Sequence, residues 1–410
     1  MSVHAGQIIH VAGNNVIDRV QSAGLGDVRV PTEVIREVGN REVVDKVPGE
    51  PDFSFSIETF DVSTEPEAWL TGKVGTGLGS AAAPGATDPD GTEYKWSDCG
   101  FLNVASPWKD DKTGSAGVVQ AGHLVAGYYP TRIRYRFGVS DNASQEIELS
   151  GGAFYYAGFP PVEEFFTGTG AQTAFDSSED AVPHRIGGES GTTFRHVFGV
   201  IVDRVLQTEG TDYTVAIVGG NARVTFTVAP PSGKSVRFTY FANAARSFPQ
   251  PVHASTLVKP GAVRGRNICV KINTSKLPGT QSAELEATVE GEVEREFCND
   301  EIVGRTINGR DCTGTVTVRA RDIARMLDLL AQITGVAPGE VFGWLNQHEV
   351  DLAIEIQNPK NPSQLLKTLV VDDAIFQVPG TPARVNAPTD FEMRWESKSG
   401  DFSVFKGARP

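Results

Sequence analysis

Short segments in which apolar and polar residues alternate run through most of the chain. In residues 53–58, phenylalanine and isoleucine alternate with serine and glutamate. In residues 131–139, isoleucine, tyrosine and phenylalanine alternate with three arginines. A period of two is typical of a strand with one buried face, and glycine and proline separate the alternating segments. The sequence therefore predicts a mainly β protein.

One helix is predicted from the same kind of pattern. Between Asp322 and Gly335 apolar residues recur at helical spacing, with Asp322 as a suitable N-cap and Gly335 as a suitable stop. Pro338 follows and opposes any continuation of the helix.

Residues 73–120 differ from the rest because they begin with a long run of small, glycine-rich and polar residues. A segment of this length without a periodic pattern is usually a functional loop, a disordered loop or a passive linker. Its aromatic side chains favour a loop that docks on another surface; they are Trp96, Phe101 and Trp108.

The middle of the chain, residues 165–248, has strand patterns at intervals of roughly ten residues. They occupy residues 196–203, 212–218, 223–228 and 235–240. Short strands at this spacing, each with one apolar face, predict a small β-sandwich.

The sequence before this segment is partly repeated after it. Residues 36–46 match residues 295–305 at five of eleven positions, at an offset of 259. Residues 21–25 match residues 281–285 at an offset of 260. A third match places 142–145 over 361–364 at an offset of 219, each after an alternating strand, at 133–139 and at 352–356. These collinear matches predict a duplicated module with the sandwich inserted between the copies.

Composition narrows the possible functions. The 410 residues include 37 Lys and Arg against 51 Asp and Glu, a formal charge of −14. This excludes a basic nucleic-acid-binding surface, although like charge suits a wall that DNA slides past. No run reaches 18 apolar residues, so no membrane span is predicted. The four cysteines are too scattered for a disulfide framework; they are Cys99, Cys269, Cys298 and Cys312. Cys298 and Cys312 are interpreted as buried thiols, in preference to a disulfide between them, which a protein made in the cytosol disfavours.

No segment carries a convincing catalytic motif. Gly233-Lys234-Ser235 ends like a phosphate-binding loop, but Val228 stands where that motif requires glycine. No two histidines are spaced by four residues, and His184 and His196 are expected to form hydrogen bonds rather than a metal site. We therefore expect no enzyme, no catalytic or metal-binding residue and no cofactor.

Several of these segments resemble one family. Residues 33–46 followed by 53–61, residues 129–146 and residues 390–406 are similar to the tail tube (major tail) proteins of long-tailed bacteriophages. Residues 198–240 resemble the immunoglobulin-like decoration domains inserted into phage structural proteins. The resemblance implies two tandem tail-tube β-sandwich or barrel modules, each flanked by a helix, with an inserted small β-sandwich. The expected domains are 1–164, with the long loop 73–120; 165–248; and 249–410.

The same resemblance implies a structural role. Tube modules close into six-part rings that stack around a channel for genome DNA, so a chain with two modules forms a trimeric, pseudo-hexameric ring. The implied partners are further copies of the chain, the tape measure protein and DNA passing through the lumen, and tail tip and terminator proteins, with no membrane. The implied location is the virion tail, assembled in the host cytoplasm.

Two sets of residues are candidates for these roles. Four acids occupy matching positions in the two copies and are candidates for the lumen wall: Glu37 and Glu42 in the first copy, and Glu296 and Glu301 in the second. Glu58 is added to them as a fifth candidate. The aromatic residues of the long loop are candidates for contacts between rings: Trp96, Phe101 and Trp108.

Two other functions fit the composition. In a virion adhesin, the inserted sandwich would bind carbohydrate through exposed aromatics such as Phe165, Phe166 and Tyr213. A β-rich hydrolase would need paired carboxylates in a cleft, and no motif marks such a pair.

Overall fold

A computed structural model describes most of the chain. The described residues are 7–8, 11–12, 15–17, 19–25, 32–35, 45–48, 53–72, 89–109, 118–119, 121–185, 194–246, 263–295, 302–320, 331, 349–377 and 389–410. The helix predicted for 322–335 lies outside them, apart from residue 331.

The N-terminal part of the chain, up to residue 157, contains twelve strands and one α-helix among its described residues. They are β1 (Gln7–Ile8), β2 (Val11–Ala12), β3 (Asn15–Val16), β4 (Val20–Leu25), β5 (Thr32–Ile35), β6 (Asp45–Pro48), β7 (Ser54–Thr59), α1 (Glu65–Thr71), β8 (Glu93–Lys95), β9 (Leu102–Lys109), β10 (Ala121–Gly138), β11 (Ser144–Ser150) and β12 (Ala153–Ala157).

The inserted part follows, from residue 161 to residue 246. Its strands are β13 (Pro161–Thr167), β14 (Ala174–Asp180), β15 (His184–Arg185), β16 (Phe194–Arg195), β17 (Phe198–Val202), β18 (Val205–Leu206), β19 (Tyr213–Val218), β20 (Asn221–Phe226) and β21 (Ser235–Phe241).

The C-terminal part begins at residue 263. Its strands are β22 (Ile268–Ile272), β23 (Ser275–Lys276), β24 (Thr280–Arg295), β25 (Ile302–Ala320), β26 (Glu349–Asn358), β27 (Asn361–Gln377), β28 (Thr389–Ser397) and β29 (Ser403–Lys406). The structure thus confirms a mainly β fold.

Strands β7 and β10 confirm the two alternating segments. Phe55, Ile57, Ile133 and Tyr135 are buried, whereas the residues between them are partly or fully exposed. The interpretation of 73–120 as one long loop is wrong for residues 93–109, since β8 and β9 lie there. Residues 73–88 and 110–117 are outside the described residues.

One antiparallel sheet connects the N-terminal and C-terminal parts. Its strands follow the order β4, β7, β11, β10, β24, β25, β28, β27, and we call it the long sheet. Its apolar face lies on the main core. The polar side chains of the same strands form its other face, as alternation requires.

The N-terminal and C-terminal parts pair their strands in the same way on either side of the β10·β24 pair. β4 pairs with β7, as β24 pairs with β25. β10 pairs with β9, β11 and β12, as β27 pairs with β26, β28 and β29. β2 pairs with β3 and β9, as β22 pairs with β23 and β26. β7 also pairs with β11, as β25 does with β28.

The register agrees as well. The β4·β7 ladder is irregular between Val20 and Ser22, and the β24·β25 ladder is irregular between Thr280 and Ser282. Both pairs of positions are 260 residues apart, the offset found for residues 21–25.

The third sequence match does not follow the strand pairing. Residues 142–145 lie at the turn into β11, whereas residues 361–364 begin β27. Since β27 has the pairing partners that correspond to those of β10, and β26 those that correspond to β9, the alignment of 133–139 with 352–356 is wrong.

The inserted part has a core of its own between two small sheets. One sheet has the order β13-β21-β17-β18 and the other β14-β20-β19. Phe175, Val224, Phe226 and Phe238 are among the buried residues between them. The first strand begins at Pro161, four residues before the position expected from the sequence.

Helix α1 was not anticipated from the sequence because it is only seven residues long. A proline in its first turn suits the start of a helix, and Gly72, with φ 62°, provides the left-handed residue that ends it. The helix is buried on nearly every side, and this places the charged residue Glu67 inside the protein.

Candidate assembly interface

The β10·β24 pair forms the joint between the N-terminal and C-terminal parts. Its ladder runs from Arg132 opposite Thr288 to Gly138 opposite Ser282. On the buried face, Tyr135 lies opposite Leu285, and both side chains are almost completely buried. The sheet and the core therefore continue without interruption through the joint.

Three arginines of β10 lie between glutamates on both neighbouring strands. Arg132 Nη1 donates to Glu148 at 2.6 Å, and its Nε donates to Glu286 at 2.9 Å. Arg134 bonds Glu284 and also lies 3.3 Å from Glu286. We call these side chains, with Arg136 and Glu146, the charge ladder; Arg136 lies 3.2 Å from Glu146 and 3.8 Å from Glu284.

The charge ladder lies on the polar face of the long sheet, together with Glu58. Glu58 is directly opposite Glu146 on the adjacent strand and accepts a hydrogen bond from Ser22 Oγ at 3.3 Å. Carboxylates exceed guanidinium groups on this face. The acids include Glu58, Glu146, Glu148, Glu284, Glu286, Glu290, Asp311, Asp390, Glu392 and Glu396, and the bases include Arg132, Arg134, Arg136, Arg319 and Arg394.

Of the acids predicted for a lumen wall, Glu58 lies among the described residues, and the other four lie outside them: Glu37, Glu42, Glu296 and Glu301. The sequence analysis missed the glutamates of the charge ladder. Their signal was available, because acids alternate with apolar residues in 144–150 and in 282–288.

Strand β4 resembles β24, the second strand of the joint, in sequence, but it has a different environment. In the described part of the chain β4 pairs with β7 alone. Gln21 and Ser22 are exposed, whereas Gln281 and Ser282 are half-buried beside β10. The Gln281 carbonyl accepts a hydrogen bond from the Val139 N–H at 3.0 Å. An edge with these backbone groups can accept a further strand.

Beneath the joint lies a buried polar cluster of Glu67, Tyr135, Gln145 and Lys367. Lys367 Nζ bonds the Glu67 carboxylate and donates to the Ser63 carbonyl at 3.2 Å. The Tyr135 hydroxyl donates to the same carboxylate oxygen at 2.5 Å, and Gln145 Nε2 donates to it at 2.9 Å. Lys367 Nζ also lies 4.9 Å from the centre of the Tyr135 ring, at a cation–π distance.

The Tyr135 hydroxyl of this cluster stays in its protonated form. Burial and the negative charge of Glu67 raise the pKa of Tyr135 well above its ordinary value, so the phenol stays protonated and donates. Burial likewise raises the pKa of the Cys99 and Cys312 thiols. Cys269 is the other buried free cysteine of the described residues, and Cys298 lies outside them.

The aromatic residues predicted for contacts between rings occupy different environments. Trp96 is buried and stacks on Phe402, with ring centroids 6.2 Å apart. Phe101 is buried against Tyr129. Both pack inside the chain, which is a physical reason against their being outer contacts. Trp108 is partly exposed, and a contact through it stays a prediction.

The inserted part is held to β9 and β10 by polar and apolar contacts. Asn103 Nδ2 donates to the Gly199 carbonyl at 2.9 Å, and its Oδ1 accepts from the Gly127 N–H at 2.9 Å. Arg204 donates to the Asp98 carbonyl at 2.5 Å. A small apolar cluster that includes Leu124 fills the space between them.

The aromatics considered as a carbohydrate platform do not form an exposed group. Tyr213 is buried in the core of the inserted part, and Phe166 stacks on Phe238 at 5.4 Å. The Arg237 guanidinium lies 5.5 Å from the centre of the Phe165 ring. Of the three rings, Tyr213 is buried, and Phe165 and Phe166 are partly exposed.

No metal site is found within the described ranges, where no three His, Cys, Asp or Glu side chains are arranged to hold an ion. Burial lowers the pKa of His184 and of His196. His184 packs between aromatic rings, with Tyr155 at 5.4 Å and Phe198 at 5.7 Å.

No helix in the part of the chain that the structure describes is long and apolar enough to cross a bilayer. A scan of the chain against protein-family models found no match, and a search of curated proteins found no relative.

Proposed function

We propose that the chain is a structural virion protein that assembles into stacked trimeric, pseudo-hexameric rings and forms the tail tube of a long-tailed bacteriophage. It carries a tandem duplication of one tube module, and the inserted sandwich decorates the outside of the ring. DNA and the tape measure protein pass through its lumen, and tail tip and terminator proteins bind its ends.

The duplication is supported by strand pairing and by register. The strands before and after the inserted part pair in the same order, with an irregularity at the same place in both ladders. Independent folding of two unrelated segments would not reproduce a bulge at the same position. A tandem pair of modules accounts for it directly.

The observation that carries the proposal is the β10·β24 joint. Within one chain, the first module offers β10 and the second accepts it with β24. The first module has the matching acceptor edge, β4, with the sequence Gln-Ser-Ala-x-Leu that β24 also carries. A head-to-tail contact of this kind repeats until the ring closes, and three chains provide six modules.

The charge of the long sheet is compatible with the wall of a DNA channel. Its polar face carries a surplus of carboxylates. Arg132 and Arg136 are engaged by glutamates on both neighbouring strands, and Arg134 is engaged by those of β24. Such a surface repels phosphate instead of binding it. We place this face toward the lumen.

Electron microscopy of the purified full-length protein at high concentration tests the proposal. We expect stacked rings with a central hole and, viewed end-on, three outer projections from the inserted parts. Six projections would retain the tube but contradict the two-module ring. A protein that stays monomeric at every concentration and binds glycans would instead indicate the adhesin.

A further inference from the structure

Strand β4 lacks the charges of the strand that it repeats. Gly24 of β4 lies opposite Ser56 on β7. Glu284 has the corresponding place in β24, opposite Thr315 on β25. None of the six residues of β4 is charged. The β4 edge therefore offers no carboxylate of its own to an incoming strand, whereas β24 offers the glutamates of the charge ladder.

The chain has room for a side chain at Gly24. A methyl group there would meet no heavy atom of the described residues within 4 Å, and the φ angle of Gly24 lies outside the left-handed region that favours glycine. The acid that contacts β4 is Glu58, on the strand behind the edge, which accepts a hydrogen bond from Ser22 Oγ at 3.3 Å. Neither backbone conformation nor packing within the chain therefore requires an uncharged residue at position 24.

The strand that corresponds to β10 also lacks the cation at the matching place. Gln377 of β27 has the position that Arg132 has in β10, since each lies opposite the corresponding residue of the next strand, Arg394 on β28 and Glu148 on β11. Those two residues pair onward with the matching positions of β25 and β7. Gln377 is exposed. The first member of the charge ladder is thus replaced by an uncharged residue in the second module.

We propose that the charge ladder distinguishes two kinds of joint in the ring. The joint within a chain is ionic and binds β10 to β24. The joint at the β4 edge takes an uncharged strand from a second copy of this chain and forms without ion pairs. The proposal rests on the ring assembly proposed above and assigns the chemistry of its contact at β4.

This difference opposes incorrect pairing. If β10 of one chain paired with β4 of another, Arg134 would leave the glutamates that it contacts on β24 and find no carboxylate on β4. An uncharged strand on β24 would in turn leave Glu284 and Glu286 partly buried without their cations. Unpaired charges of this kind disfavour a wrong partner. The β4 edge therefore stays available for the strand that closes the ring.

Two substitutions at Gly24 test the proposal as a matched pair in the full-length protein. Gly24→Glu gives β4 the carboxylate of β24, and Gly24→Gln adds a side chain of the same size without the charge. Because the space at Gly24 is free, we expect both dilute variants to keep the melting temperature of the unsubstituted protein. Sedimentation and electron microscopy then measure ring formation.

We expect Gly24→Gln to form rings at the concentration that the unsubstituted protein needs. Gly24→Glu should need about tenfold more protein, because its carboxylate becomes partly buried at the contact without a cation.

Salt provides a second measurement, on the unsubstituted protein. An ion-paired contact weakens when salt shortens the screening length from about 10 Å at 0.1 M to about 3 Å at 1 M. We expect the protein concentration at which half of the chains are in rings not to increase over this range. Glu58→Gln removes the acid that contacts β4 and should also leave that concentration unchanged.

The other outcomes contradict the proposal in distinguishable ways. Equal ring formation by Gly24→Glu and Gly24→Gln, whether retained or lost, would overturn it, because the contact would then not distinguish charge. Rings that dissociate at high salt, or that weaken in Glu58→Gln, would indicate an ionic contact and overturn it as well. Each of these results leaves the proposed function standing, provided that the unsubstituted protein forms rings at low salt. Absence of rings under every condition would overturn both.

Discussion

Lys367 and Glu67 form a buried ion pair between residues that are 300 positions apart in the chain. Only 1% of the lysine side chain and 4% of the glutamate side chain are exposed. The pair joins helix α1 of the N-terminal part to strand β27 of the C-terminal part. Breaking it therefore loosens the link between the two parts.

We expect Lys367→Met to lower the free energy of unfolding by about 3–5 kcal/mol, because the Glu67 carboxylate is left buried without its counterion. Urea denaturation followed by tryptophan fluorescence measures the change. The double variant with Glu67→Gln removes both charges and is expected to recover most of the loss.

An exposed ion pair provides the matched control. Lys398 bonds Glu349 at the surface, and 62% and 47% of these side chains are exposed. Lys398→Met is expected to leave the unfolding free energy nearly unchanged, since solvent screens such pairs. Equal effects of the two lysine substitutions would contradict the role given to the buried pair.

Arg134 keeps the carboxylates of the charge ladder apart. In Arg134→Gln, Glu284 loses its nearest cation and Glu286 keeps only Arg132. We expect the melting temperature of the variant to rise with added salt, because salt screens the repulsion that remains. Melting curves at low and high NaCl measure this. The control is Arg394→Gln, because the Arg394 side chain is 72% exposed. We expect no such rise of the melting temperature in this variant. The same salt response in both variants would contradict the prediction.

The alternating segments could be predicted because each of these strands has one face on the core and one toward solvent. This is why β7 and β10 follow from the sequence. Strand β9 does not, because nearly all of its residues are buried and no alternation remains. The glycine-rich start of 73–120 then made the whole segment look like a loop.

The residues of the candidate interface also fall into two groups, those that the sequence could predict and those that it could not. The glutamates opposite β10 belong to alternating strands and could have been found from the sequence. The partner of Glu67 could not, because a single lysine 300 residues away has no local signal. The offset of 260 was detectable since residues 21–25 and 281–285 are almost identical. The match at 361–364 was misleading because it depended on only three identical residues, Asn, Ser and Gln.

The edge of β4 can be blocked without disturbing the rest of its sheet. The carbonyl of Gln281 points to β10, so the backbone of Gln21 is expected to point to the open side of β4. Gln21→Pro removes an N–H from that side, and proline is tolerated on edge strands. We expect a folded monomer by circular dichroism and sedimentation, with no rings in micrographs.

The matched variant is Gln281→Pro, in which the same change falls on the joint within the chain. We expect it to lower the unfolding free energy by roughly 1–3 kcal/mol through lost or unsatisfied ladder bonds. If Gln21→Pro still forms rings, β4 is not the ring-closing edge.

Stability is expected to fall as pH decreases from about 7 to about 5, in part through His184. Burial lowers its pKa below the ordinary value of 6.5, so the unfolded chain binds the proton more strongly than the folded protein does. The stabilisation is complete above the pKa of the unfolded state and is lost as pH falls toward that of the folded state. His184→Phe preserves the contacts with Tyr155, Phe198 and Phe241 and should show a shallower decrease in melting temperature over this range, with both curves parallel above pH 8. An unchanged slope in the variant would show that other groups account for the pH dependence.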